Sequence, residues 1–195
     1  MRVWRERVEF TNGHTRDRDG SLLHCSHGLR AVFHTDPDGS AQRMDTGFTV
    51  ANGLAFAPDD RRLYFADSGR RTVYVYDFDL ASGTLAHRRP FVELAEHEGI
   101  PDGLTVDAEG FVWIALFDGW SLVRYDPEGR VALRVPLPVP RPTSCCFGGP
   151  GLRTLYVTSA SVRLPEPVLA EAPLSGALFA CEPGVTGLPA TPFGA

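Results

Sequence analysis

Apolar residues along this chain fall in short runs rather than at helical spacing. RLYFAD (62–67), TVYVYDFD (72–79), FVWIAL (111–116) and SLVRYD (121–126) are rich in β-branched and aromatic residues, and Gly, Asp or Pro turns bound each of them. Turn signals recur roughly every 8 to 12 residues, which predicts an all-β fold. Helical signals are nearly absent. The one weak candidate, PEPVLAEAPL from Pro165, contains three prolines and reads as a loop.

The runs belong to a repeat. NGHTRDRDGSLLHCSHGLRAVFHTDPDGS begins at Asn12, NGLAFAPDDRRLYFADSGRRTVYVYDFDLASGT at Asn52 and DGLTVDAEGFVWIALFDGWSLVRYDPEGR at Asp102. Each opens with Asn-Gly or Asp-Gly and a short strand, turns, runs through a second apolar strand into small residues, and ends in a third strand before an Asp- and Gly-containing turn. A fainter fourth copy is TSCCFGGPGLRTLYVTSA, closing in GALFACEPG. Asn12, Asn52, Asp102 and Ser144 are separated by 40, 50 and 42 residues. That is the length of a four-stranded propeller blade, so the repeat favours a propeller of about four blades over a sandwich. No linker divides residues 1–195, which read as a single domain, complete or partial.

Charge and cysteine content narrow the function classes. A net charge of −5 with no Lys/Arg cluster disfavours nucleic acid as a partner. The opening MRVWRERVEF is too polar for a signal peptide, and no run of 18 apolar residues suggests a membrane span. Cys25, Cys145, Cys146 and Cys181 are expected to be buried, reduced thiols in a cytoplasmic protein, with Cys145 and Cys146 on opposite faces of a strand.

In a propeller the first strand of every blade lines a central channel, so Asn12, Asn52, Asp102 and Ser144 converge on one axis. Amide and carboxylate oxygens gathered there suit a hard cation such as Ca²⁺, Mg²⁺ or Mn²⁺. Such an ion polarises a carbonyl while a carboxylate handles the proton, and Asp102 is the candidate base or ligand. Asn-Gly and Asp-Gly are also common tight-turn dipeptides, and that reading stays open for each pair. His14, two residues beyond Asn12, is a candidate substrate contact or an ordinary surface histidine. His24 and Cys25 would face opposite sides of a strand, which argues against a zinc site in LHCSHG. Nucleophile-elbow and phosphate-loop motifs are missing.

NGLAF (52–56), IPDGLTVDAEG (100–110) and PTSCCFGG (142–149), with the tail PLSGALFACEPGVTGLP, closely resemble the senescence marker protein, regucalcin and gluconolactonase family over about residues 28 to 190. The resemblance implies a six-bladed propeller that holds one divalent metal, Ca, Zn, Mn or Mg, and hydrolyses sugar lactones. It maps two family metal ligands onto Asn52 and Asp102, with Asp102 also in proton transfer. The family's third ligand, a Glu from the first blade, has no counterpart in this sequence, and Glu6 or Glu9 is a candidate replacement. Asn12 stands either for a substrate-contacting Asn or for a blade-opening turn residue.

The sequence therefore favours a metal-dependent lactonase acting on a small-molecule lactone, weakened by the missing ligand. The alternative is a catalytically weak or inactive calcium-binding propeller or fragment. An open arc of blades would expose sheet edges, and a homo-oligomer is one way to cover them.

Overall fold

Each apolar run folds as a strand, and short hairpins join the strands in chain order into four antiparallel sheets. The computed structural model describes residues 11–192. Blade 1 holds β1 (Thr11–Arg16), β2 (Leu22–Ser26), β3 (Ala31–Thr35) and β4 (Ala41–Thr46). Blade 2 holds β5 (Ala51–Phe56), β6 (Arg62–Asp67), β7 (Thr72–Asp79) and β8 (Thr84–Glu93). Blade 3 holds β9 (Ile100–Val106), β10 (Val112–Phe117), β11 (Ser121–Tyr125) and β12 (Val131–Pro136). Blade 4 has three strands, β13 (Pro142–Gly148), β14 (Thr154–Ser159) and β15 (Leu178–Cys181). The architecture is an all-β propeller with four blades, as the repeat predicts.

Burial is deepest where one blade packs on the next and shallowest at the outer strands. Every residue of β5 is buried, whereas β4 and β12 are largely exposed. Strand alternation explains why the inner runs are apolar throughout: successive side chains point to opposite neighbours, so a strand between two blades must be apolar on both faces. Leu54 and Phe56 pack with Leu23, Cys25 and Val32 of blade 1, while Ala55 and Ala57 pack with Leu104, Val106 and Ile114 of blade 3. A third core joins Trp113, Ala115 and Leu122 to Cys145, Leu155 and Val157. Each large side chain buried this way contributes about 1.5–3 kcal/mol, so the cores between blades set the arrangement of the inner strands.

Blade 3 carries a polar latch as well. The buried Asp107 accepts hydrogen bonds from the Phe111 amide at 3.1 Å, Trp113 Nε1 at 2.8 Å and Arg124 Nε at 2.8 Å. The Arg124 guanidinium lies over the Phe111 ring, 3.8 Å from its centroid. One carboxylate thereby ties the turn after β9 to β10 and β11.

Two expectations are corrected. PEPVLAEAPL is not a loop throughout: Glu166–Glu171 form a short helix, α1. Pro165 is its N-cap and Pro167 lies in the first turn, where a missing amide hydrogen costs nothing, and Ala172 closes it through its N–H to the Val168 carbonyl. The four cysteines are free, but only Cys25 and Cys145 are buried; Cys181 is half-buried and Cys146 is exposed. Cys145 and Cys146 do face opposite sides of β13, as expected. Among the described residues no helix is long and apolar enough to cross a membrane.

Candidate metal centre in the central channel

Asn52-Gly53 and Asp102-Gly103 are not turns. Both pairs lie inside inner strands, each at a bulge where two residues oppose one on the neighbouring strand. Asn52-Gly53 face Ala66, Asp102-Gly103 face Ala115, and Asn12-Gly13 of β1 face Cys25 in the same way. Bulges re-aim side chains, and here they do so at one level of the channel. None of these three glycines has a positive φ. Their lack of a side chain serves close approach instead. A Cβ on Gly13 would lie 2.5 Å from the Asn52 carbonyl oxygen, one on Gly53 2.5 Å from the Asp102 carbonyl oxygen, and one on Gly103 2.7 Å from Ser144 Cα. Each glycine thus lets the next inner strand approach its own polar residue.

This chain of contacts also corrects the fourth position of the ring. Ser144 stands where blades 1 to 3 have glycine, and the bulge in β13 falls between Pro142 and Ser144, at Thr143. The buried Cys145 corresponds to Leu54 and Leu104 in the cores between blades. Thr143 is therefore the counterpart of Asn12, Asn52 and Asp102. Its hydroxyl shares a 2.7 Å hydrogen bond with the Thr158 hydroxyl.

Asn52 is held by the corner after β6. The buried Asp67 carboxylate accepts from the amides of Thr49 at 2.9 Å and Val50 at 2.8 Å, and the Ser68 amide donates to the Val50 carbonyl at 3.0 Å. Asn52 Nδ2 donates to Ser68 Oγ at 3.0 Å, and Ser68 Oγ donates to the Pro101 carbonyl at 2.6 Å. Arg71 fixes the approach to β9 by donating to the Gly99 carbonyl at 2.6 Å. Residues 49–52 and 99–102 are thereby tied together across two blades.

A cavity of about 940 Å³ occupies the channel, and Asn12, His14, Asn52, Asp102, Thr143 and Ser144 all line it. Asn12 and His14 are exposed, and Asn12 Nδ2 reaches the Ala51 carbonyl at 3.4 Å. All four residues singled out from the sequence thus meet in one space. Burial pushes the Asp102 carboxyl up to about 6, and a hydrogen bond from the Asn52 side-chain amide offsets this only in part. Glu6 and Glu9 lie outside the described residues.

These groups fit a hard cation. Asp102 is a desolvated carboxylate whose one stabilising partner among the described residues is the neutral Asn52, an arrangement that favours arrival of positive charge. Asn52 Nδ2 is committed to Ser68, which leaves the side-chain carbonyl oxygen available to a metal. The set is incomplete in one respect: among the described residues no three His, Cys, Asp or Glu side chains cluster as metal ligands. In LHCSHG, Cys25 lies in the core against blade 2 and His24 stacks on Phe33.

Residues 10–161 match the SMP-30/gluconolactonase/LRE-like region. The chain belongs to that family. Within reach of it, the pentonolactonase XacC of Haloferax volcanii is 38% identical over 162 residues, covering 81% of this chain and 56% of that protein. Regucalcin of Danio rerio is 38% identical over 161 residues, covering 82% of this chain and 55% of its own. A solved luciferin-regenerating enzyme superposes with a TM-score of 0.84 at 30% identity, over 95% of this chain and 65% of that one. This family member therefore spans about half the length of the curated relatives it matches.

Sequence reasoning missed Ser68 and Thr143. Ser68 follows a strand in FADSG, where a small polar residue reads as turn chemistry, and its contact with Pro101 depends on how blades 2 and 3 pack.

Proposed function

We propose that the channel is the active site of a divalent-metal-dependent hydrolase that opens a sugar lactone. The observation that carries this reading is the half-buried Asp102, its carboxyl pushed up by desolvation, beside Asn52 at the wall of an open cavity. Kinship with a pentonolactonase supports the lactone as substrate class.

In this reading Asn52 and Asp102 hold the ion, which supplies a Lewis acid for the lactone carbonyl. Burial raises this carboxyl to about 6 in the metal-free chain, and a bound cation would draw it into the ionised form, the form that accepts a proton. Asp102 takes the proton of a water as its oxygen bonds to the carbonyl carbon, and returns it to the ring oxygen as the ester C–O bond breaks. Atoms balance to one hydroxy acid. Asn12 and His14, on the exposed side of the cavity, are the substrate contacts, with hydrogen-bonding groups suited to a polyol.

A second reading is a propeller that binds calcium without turnover, with Asp102 the one carboxylate lining the cavity among the described residues. One experiment separates them. The full chain is assayed by pH-stat for opening of gluconolactone and pentonolactones with Ca²⁺, Mn²⁺, Mg²⁺ or Zn²⁺. Metal-dependent turnover that Asp102→Ala abolishes supports the hydrolase; metal binding without turnover supports the second reading.

A further inference from the structure

We infer that Ser68 is a positioning residue that fixes which way the Asn52 amide points. The inference rests on the metal reading above and concerns a group that reading does not use. Ser68 is buried, 8% exposed, and belongs to neither the strand that carries Asn52 nor the one that carries Asp102.

A serine hydroxyl has one hydrogen and two lone pairs. The hydrogen of Ser68 is committed to the Pro101 carbonyl across a short 2.6 Å bond. Toward Asn52 it therefore offers only a lone pair, and Asn52 must answer with N–H, as it does at 3.0 Å. A flipped amide would set two acceptors against each other in a buried place and leave both without a partner. One hydroxyl thus turns the amide oxygen away from Ser68 and leaves it available to a cation. The same hydroxyl ties Asn52 to the residue preceding Asp102, so the spacing of the two ligands on neighbouring blades also depends on it. Groups that orient a metal ligand in this way alter affinity by about 10- to 100-fold when removed.

The test titrates the full chain with Ca²⁺ and with Mn²⁺ by calorimetry and records the metal-free melting temperature. Ser68→Ala is expected to bind about 10- to 100-fold more weakly, and Ser68→Thr, which keeps the hydroxyl, to bind like the parent. Ser68→Cys fills the space with a weak hydrogen-bonding atom and supplies the same comparison if the alanine variant does not fold. Parent-like affinity in the Ala or Cys variant, while Asn52→Ala and Asp102→Ala lose binding, overturns the role of Ser68 and leaves the metal reading standing. A Thr variant as weak as Ala also overturns it. Binding that survives in Asn52→Ala and Asp102→Ala, or that is missing in the parent, overturns both.

Discussion

Gly53 lies against Asp102 so closely that a Cβ at position 53 would sit 2.5 Å from the Asp102 carbonyl oxygen and 2.7 Å from the Leu104 amide nitrogen. These are backbone atoms of the next blade, and they cannot rotate aside. Gly53→Ala must push β5 and β9 apart at the level where Asn52 and Asp102 meet. The expected loss is roughly 1–3 kcal/mol, read from urea unfolding, together with weakened divalent binding. An alanine variant of parental stability would mean that the inner strands are less closely packed than described.

The carboxyl of Asp102 gives the metal-free protein a defined pH response. Its folded pKa, about 6, exceeds the 3.8 of an unperturbed aspartate, so the native state holds the proton more tightly than the unfolded state. Below about pH 4 both states are protonated and the group contributes nothing. Stability then falls as pH rises from about 4 to about 6 and levels off above that, a loss on the order of 3 kcal/mol. Asp102→Asn should remove this component and be the more stable chain at pH 7 without metal. Thermal unfolding of both proteins from pH 4 to 8, in chelator, checks the sign. A parent slope unchanged by the substitution would place the titration elsewhere.

Asp107 offers the contrasting case of an acid with structural work. Its partners Trp113 Nε1 and Arg124 Nε are both at 2.8 Å, and the Arg124 side chain is only 12% exposed. Asp107→Ala leaves the Trp113 indole N–H unmet and leaves Arg124 with only the exposed Glu109 carboxylate at 2.7 Å, for an expected loss on the order of 3 kcal/mol. Divalent affinity of the folded fraction should stay within a factor of a few, because Asp107 does not line the channel cavity. Guanidinium unfolding and a metal titration on the same sample separate the two effects.

The fold was legible because blades repeat. Phased Asn-Gly and Asp-Gly pairs mark the inner strands, and the continuous apolar runs of β6 and β10 report burial on both faces. The same pairs were ambiguous in chemistry, since turn residues and close-approach glycines look alike until the neighbouring strand is in place. Gly13, Gly53 and Gly103 were readable as turn residues, yet each serves the backbone of the next blade. Ser144 was placed one residue out of phase because blade 4 lacks a glycine to mark the position, and only the pairing of β13 with β14 assigns it to Thr143. Helix α1 was hidden by prolines that a first turn tolerates. Ser68 was invisible for a different reason: its partners are 16 and 33 residues away, in two other strands.

Calorimetric titration of the metal-free full chain with Ca²⁺ and with Mn²⁺ tests most directly whether Asn52 and Asp102 grip one cation between them. One site per chain is expected, lost in both Asp102→Ala and Asn52→Ala, with both variants folded. A parent that binds neither ion, or variants that bind as the parent does, would contradict a metal centre at these two residues.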